Sequence, residues 1–216
     1  MKEYKVELTR EMETIIKSAI RKKKDVIKVL LESISLLTYG DFTQRPTKDH
    51  IVLRIDKMKR LFIVQDNKIT TFNFPFGVEV QLPHNNLVIY DPTTELELDG
   101  VNLAVLKSIF VDLIEDENSY SLMDLDSDIE KIMDSFDKHY EKNRLWSVMK
   151  YLIEFEVGYL RLDYDEEREN GLLHPLNHLD INYSTEVTYK IGLNSKMNVG
   201  EIIDILDLNT NCSFIG

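Results

Sequence analysis

Apolar residues recur at spacings of three and four near the start of the chain, as they do on one face of an α-helix. This pattern covers residues 9–38 and ends at Gly40, a residue that favours helix termination. It lapses in the basic run of residues 21–24, so it predicts either one long helix capped by Thr9 or two helices, the second capped by Asp25. The other helical patterns cover residues 102–115, 129–136, 145–153 and 202–206. The predicted N-terminal caps are Asp126 or Ser127 for the second of these patterns and Ser195 or Asn198 for the last.

The hydrophobic period changes to two in residues 50–98 and again in residues 159–193, which is typical of strands. The connectors of the first region are short and rich in turn-forming residues, for example Asp66, Asn67 and Lys68. Such connectors exclude helical crossovers and therefore predict an antiparallel arrangement. The predicted strands cover residues 51–55, 61–64, 69–74, 78–82, 87–90, 159–164, 176–183 and 187–193.

These elements together predict an α+β fold. An N-terminal helix or helix pair precedes an antiparallel β-meander, central helices follow, and a C-terminal three-stranded antiparallel sheet is closed by a helix. No linker rich in Pro, Gly or Ser interrupts the chain, so residues 1–216 are predicted to form a single domain. The change of pattern near residue 100 marks possible subdomains at 1–100 and 101–216.

The composition narrows the class of protein. Of the 216 residues, 43% are hydrophobic and 30% are charged, as in soluble globular proteins. The single cysteine, Cys212, excludes an intramolecular disulfide and a cysteine-based zinc cluster, and it favours a reducing compartment. The first residues are charged, and no apolar run approaches the roughly 20 residues needed to span a bilayer. We therefore expect a cytoplasmic protein without a membrane segment.

The excess of acidic residues limits the classes of partner that the protein is expected to bind. The chain has 38 acidic and 26 basic residues, a formal net charge of −12, so the phosphates of duplex nucleic acid would repel most of its surface. We expect the protein to contact nucleic acid only indirectly or through the basic run Arg21, Lys22, Lys23 and Lys24. A basic run of this kind is more often simply the solvated face of a helix. An acidic surface instead favours a protein partner with a basic face.

The three C-terminal strands are predicted to carry their polar residues on one face, opposite an apolar face. A sheet with one solvated side usually has this pattern. An exposed ion pair contributes only about 0–1 kcal/mol, so nothing physical would require so many complementary charges on a fully exposed face. We therefore expect the polar face to be partly covered by another part of the chain or by a partner. The polar face comprises Arg161, Asp163, His178, Asp180, Asn182 and Lys190.

Two kinds of chemistry fit this face. His178 and Asp180 are two residues apart on one strand, so both point the same way and can bind a divalent cation together with Asp163. Alternatively, the carboxylate only orients the imidazole. His174 and His178 are candidate catalytic residues, acting as general acid or base. The candidate binding residues are Arg161, Asp163, Asp180, Asn182 and Lys190.

The residues His174, Pro175, His178, Leu179 and Asp180 also carry a resemblance. With the strand at 159–164 before them and Lys-Ile-Gly-Leu at 190–193 after them, they resemble the C-terminal half of an uncharacterised bacterial family of small acidic proteins. The resemblance spans roughly residues 145–210. Members often lie among restriction or anti-phage genes, and the resemblance implies this context but no catalytic residue.

Two hypotheses follow. The first is a non-catalytic accessory or regulatory subunit of a bacterial defence complex of anti-phage or restriction type, which binds a protein partner and needs no cofactor. The lack of a complete catalytic motif, such as a Gly-rich phosphate loop or a nucleophile elbow, favours it. The second is a metal-dependent hydrolase or nuclease that needs a divalent metal ion, with Arg161 and Lys190 holding a phosphate. The sequence leaves open whether the protein is an enzyme.

Overall fold

The computed structural model describes residues 2–17, 20, 22–42, 45–82, 86–114, 122–136, 141–182 and 188–212. The predicted α+β class is confirmed, since helices accompany a mainly antiparallel set of strands. No helix in this part of the chain is both long and apolar enough to cross a membrane. The elements are β1 (Lys2–Glu7), α1 (Arg10–Lys17), α2 (Lys23–Tyr39), β2 (His50–Ile55), β3 (Lys59–Val64), β4 (Lys68–Asn73), β5 (Gly77–Gln81), β6 (Asn86–Tyr90), α3 (Gly100–Ile114), α4 (Leu122–Ser135), α5 (Lys142–Glu154), β7 (Leu160–Tyr164), β8 (Asn177–Asn182), β9 (Thr188–Gly192) and α6 (Val199–Leu206).

Seven of the strands form one antiparallel sheet in the order β1-β2-β3-β4-β7-β8-β9. The predicted meander therefore stops at β4, and the three C-terminal strands continue the same sheet. β5 and β6 instead pair with each other in a separate two-stranded sheet. The connector between β4 and β5 contains Pro75, whose missing N–H interrupts the ladder, and β7 takes the free edge of β4.

The chain contacts divide into two compact units built from interleaved segments. The sheet unit consists of Met1–Leu8, Asp41–Phe74 and Glu156–Gly216, and it carries the seven-stranded sheet and α6. The helical unit consists of Thr9–Gly40 and Pro75–Phe155 and carries α1 to α5 with β5 and β6. Neither unit coincides with residues 1–100 or 101–216, because each unit draws on both halves of the chain.

In the sheet unit, α6 packs on one face of the sheet. Its residues Ile202 and Ile203 are buried against Phe62 and Leu162, and Leu179 packs against this core. The N-terminus of α6 is capped by Asn198, as predicted, whose side chain accepts hydrogen bonds from the N–H groups of Gly200 and Glu201. Because side chains alternate along a strand, the residues between these apolar positions of β7 and β8 project from the opposite face.

In the helical unit, the first helical pattern forms two helices. Thr9 accepts a hydrogen bond from the N–H of Met12 at 3.3 Å and so caps α1, as predicted. Asp25 lies inside the first turn of α2, where its carboxylate accepts a 2.9 Å hydrogen bond from the N–H of Lys22. It therefore stabilises the first turn from within.

Two details of the sequence prediction differ from the structure. The proposed cap at Asp126 or Ser127 is wrong, since α4 already begins at Leu122 and its apolar residues extend the helical run backwards. β1 was not predicted, because a strand whose apolar side chains are only Tyr4 and Val6 lacks a clear alternation. It forms an edge of the sheet, where polar residues are usual.

The turn that leads into β7 is held by side chains of β3 and β4. Asn73 donates its backbone N–H to the carbonyl of Val157 at 2.8 Å and its side-chain amide to that of Glu156 at 2.9 Å. Arg60 donates to the carbonyl of Gly158 at 2.5 Å. Gly158 itself has a φ of +56°, and an added Cβ would lie 2.9 Å from the Asn73 amide. The close approach and the left-handed backbone both require glycine here.

We predict that Gly158→Ala lowers the free energy of unfolding by about 2 kcal/mol or more, since it adds a steric contact to the roughly 1–2 kcal/mol of left-handed backbone strain. Gly171→Ala is the matched control, because Gly171 also has a positive φ, +52°, but has no atom within 4 Å of an added Cβ. Urea unfolding of both variants measures the difference. Equal losses would contradict a role for the close approach.

Candidate metal centre

The pairing of β7 with both of its neighbours brings polar residues from three strands together. In one cross-strand row, Lys68 of β4 lies opposite Asp163 of β7, which lies opposite His178 of β8. Directly opposed Cβ atoms in an antiparallel pair are about 5 Å apart. The row therefore aligns a cation, a carboxylate and an imidazole on the face opposite α6.

The adjacent row runs through Thr70, Arg161, Asp180 and Lys190, from β4 to β9. Residues two apart on one strand share a face, so the two rows lie side by side. We call Arg161, Asp163, His178 and Asp180 the β7–β8 cluster. All four belong to the sheet unit.

Arg161 links the two carboxylates of the β7–β8 cluster. Its Nε donates to Oδ2 of Asp163 at 2.6 Å, and one terminal nitrogen donates to Oδ2 of Asp180 at 2.7 Å. Burial opposes the charged guanidinium, but Asp163, Tyr159 and Asp180 outweigh it, so the pKa of Arg161 is raised. Burial in turn raises the pKa of Tyr159, whose side chain is hydrogen bonded to Arg161.

The orientation of His178 is fixed by a loop carbonyl. Its ring is 2% exposed, and Nδ1 lies 2.9 Å from the carbonyl oxygen of Pro175. Since a carbonyl only accepts hydrogen bonds, Nδ1 carries the proton. The other nitrogen, Nε2, lies 3.4 Å from Oδ2 of Asp163. The ring of His174 contacts that of His178 edge to face, with the centroids 4.6 Å apart.

Two buried polar atoms, one in the cluster and one beside it, lack partners among the described residues. Asp180 is 5% exposed, and its Oδ1 has no hydrogen-bond partner among the described residues. Nδ1 of His174 is likewise buried without a partner in this part of the chain. Buried polar atoms of native proteins are nearly always satisfied, so each of these two atoms calls for a partner.

Three side chains of the cluster converge on one point. Asp163, His178 and Asp180 each offer a ligand atom, and these atoms all lie within 4.8 Å of one another. One nitrogen and two oxygens suit Zn²⁺ or Mn²⁺. The contact of Nδ1 with the Pro175 carbonyl is the one that commonly orients a metal-ligating histidine. The donor set and its surroundings therefore fit a divalent cation.

The remaining predicted site residues lie around the cluster. Lys190 is exposed opposite Asp180 and forms no hydrogen bond or ion pair with the residues that the structure describes. The backbone of Asn182 lies in β8 opposite Thr188, but its side chain falls outside the described residues. The expected covering of the polar face is observed for His178 and Asp180, which are both buried.

Sequence reasoning missed Lys68 as a site residue. Its ammonium is half-buried and forms no ion pair or hydrogen bond with any described residue. Burial lowers the pKa of Lys68, and the nearby Arg161 lowers it further, while Asp163 and Asp49 act in the opposite direction. In the sequence, Lys68 belongs to a turn, and only the pairing of β4 with β7 brings it to the cluster.

The basic run proposed for nucleic acid is only partly described, since Arg21 lies outside the described residues. Lys23 stacks its ammonium over the ring of Phe155, 5.2 Å from the centroid. Burial lowers the pKa of Lys23, with Glu154 opposing the shift. Lys23 is thus partly engaged by the helical unit itself.

Comparisons of the chain with protein-family models, with curated proteins and with solved structures found no match. The resemblance to a bacterial family therefore stays a prediction.

We predict that Arg161→Met lowers the free energy of unfolding by about 3 kcal/mol in the presence of a chelator, because it leaves two largely buried carboxylates unpaired. Arg168→Met is the control, since Arg168 pairs with Asp165 but its side chain is 75% exposed, so its loss should cost less than about 1 kcal/mol. Chemical denaturation compares the two variants. A loss for Arg161→Met as small as that of the control would contradict the bridging role.

Proposed function

We propose that the protein binds a divalent metal ion through Asp163, His178 and Asp180 and is a metal-dependent hydrolase. The observation that carries this proposal is the convergence of the three ligand atoms within 4.8 Å, on a buried histidine and a carboxylate with an unpartnered oxygen. Ligands on neighbouring strands of one sheet are held without the entropy cost of ordering a loop.

The orientation of His178 supports a cation at this point. With Nδ1 donating to the Pro175 carbonyl, Nε2 faces Oδ2 of Asp163 at 3.4 Å. A carboxylate oxygen only accepts hydrogen bonds, so positive charge belongs between Nε2 and Oδ2, either as a proton on Nε2 or as a cation bound to both atoms. A divalent cation supplies that charge and also a partner for the orphan Oδ1 of Asp180.

Each side chain then has a defined role. Asp163, His178 and Asp180 would hold the cation, and Arg161 positions the two carboxylates through its hydrogen bonds. A bound divalent cation supplies Lewis-acid activation of water and of the scissile group. His174 is the candidate general acid or base, since its Nδ1 has no partner among the described residues.

We predict that the wild-type protein binds one Mn²⁺ or Zn²⁺ per chain in isothermal titration calorimetry and that His178→Ala weakens this binding more than about 100-fold. The expected loss is large because changes to outer-shell partners of metal ligands already cost about 10–100-fold. The same variant should abolish metal-stimulated hydrolysis.

His50→Ala is the matched control. His50 is also on a strand of the sheet unit, and its Nδ1 also lies 2.9 Å from a backbone carbonyl, that of Lys48, but it is outside the cluster. Its removal should leave metal affinity unchanged. A folded wild-type protein that binds no Mg²⁺, Mn²⁺ or Zn²⁺ would refute the proposed function.

A second proposed function is that of an accessory subunit of a bacterial defence-type complex, and the loop between β7 and β8 favours it. Leu172 and Leu173 are 100% and 82% exposed at the loop tip. The loop is ordered, since Asn170 and His174 are joined by backbone hydrogen bonds. Glutamates precede the leucines in this loop, at positions 166, 167 and 169. Such a tip fits a partner with an apolar pocket bordered by basic side chains.

We predict that the tagged wild-type protein copurifies from its host with a stable protein partner, identified by mass spectrometry, and that the double change Leu172→Ser and Leu173→Ser releases this partner. The substitutions remove apolar area that the folded chain does not bury, so its stability should be unchanged. Recovery of the partner with the double variant would argue against this loop as the docking site. Absence of any stable partner would count against the accessory function.

A further inference from the structure

We infer that the substrate of the proposed metal site carries a phosphate group and that Lys68 is the side chain that binds this group. The inference rests on the proposed hydrolase function and adds to it the substrate class and a substrate-binding residue. It arises from the position of Lys68, from the lack of a hydrogen bond or close ion pair between Lys68 and the described residues, and from the charge of the cluster.

The position of Lys68 places a cation beside the metal ligands. Lys68 lies directly opposite Asp163 in the pairing of β4 with β7. Arg161 is held by both carboxylates, with hydrogen bonds of 2.6 and 2.7 Å from its Nε and one terminal nitrogen. Lys68 has no hydrogen bond or ion pair with the described residues, although it is half-buried. Asp163 and Asp49 attract this half-buried ammonium without forming a close ion pair with it, so its donors can bind an anionic ligand.

The charge of the cluster indicates how much negative charge the ligand carries. The carboxylates of Asp163 and Asp180 are balanced by Arg161 and Lys68, so the metal-free cluster is neutral when His178 is neutral. At its margins Asp49 and the exposed Lys190 cancel each other. A divalent cation therefore leaves two positive charges uncompensated. A phosphate monoester dianion matches this excess, while a neutral ester or amide leaves it intact.

The chemistry of the lysine also favours phosphate. The ammonium is a compact charge with three donors, and it binds phosphate oxygens as a point charge at the end of a flexible chain. Arg161 is held between the two carboxylates, and moving its guanidinium away from them towards a substrate would interrupt a buried ion pair. The structure therefore separates the roles: Arg161 is a positioning residue, and Lys68 contacts the substrate.

The test is a titration of inorganic phosphate into the Mn²⁺-loaded protein, followed by calorimetry. We expect Lys68→Gln to weaken phosphate binding about tenfold or more, because a hydrogen bond to a charged group contributes about 1.5–3 kcal/mol. Affinity for Mn²⁺ should stay within about threefold, since Lys68 is not a ligand. Lys57→Gln, which removes an exposed lysine of the turn between β2 and β3, should change neither affinity.

Two further measurements separate the outcomes. Lys68→Arg keeps the charge and should restore most of the phosphate affinity, which a merely structural role in folding would not require. If Mn²⁺ binds but phosphate affinity is the same in Lys68→Gln as in the wild type, the inference is refuted and the metal site stands. If the wild-type protein binds no Mn²⁺, the proposed function itself fails, and the inference fails with it.

Discussion

The backbone ladder between β4 and β7 is the constraint on which the sheet unit depends. It joins strands from the first and last thirds of the chain into one sheet and aligns Lys68 with Asp163. Its register is set at the other end of β4, where Asn73 and Arg60 hold the turn that contains Gly158. A slip of one residue would move every polar side chain of β7 to the face of α6, so the site depends on this turn.

Arg60 is a buried cation that stabilises this register. Its guanidinium is buried and donates hydrogen bonds to the neutral oxygens of Thr71, Asn73 and Gly158, and burial lowers the pKa of Arg60 to about 10. A buried cation with neutral partners is unfavourable by itself. Its several donors join β3, β4 and the turn at Gly158, which are far apart in the sequence. This positioning role explains why a buried cation is retained here.

The parts of the site that were predicted from sequence are those that depend on local geometry. Alternation along a strand is enough to place Arg161 with Asp163 and His178 with Asp180, because residues two apart share a face wherever the strand lies. The same reasoning recovered α6 and its cap, since Asn198 precedes an apolar run directly. Local patterns therefore predicted the fold class and the shared sheet face of the four residues of the β7–β8 cluster.

The parts that were missed depend on long-range pairing. No sequence pattern states which strand forms hydrogen bonds with β4, so Lys68 was read as part of a turn, and β5 and β6 were assigned to the same meander. The proton on Nδ1 of His178 could not be predicted either, because it follows from the path of the loop at Pro175. These features depend on tertiary contacts, and the local propensities of the sequence do not include the energies of such contacts.

The side chains of the candidate site differ in the number of contacts that restrain them, and this difference has a chemical consequence. Arg161, Asp163 and Asp180 fix one another through charge-assisted hydrogen bonds, and the loop carbonyl fixes His178, so the candidate ligands are positioned before any ligand binds. Lys68 has no such restraint among the described residues, and its four-carbon side chain can follow an anion. If the proposed metal site and its phosphate substrate hold, the prearranged ligands would fix the cation, and the one less restrained side chain, Lys68, would adapt to substrates that differ in shape but share a phosphate.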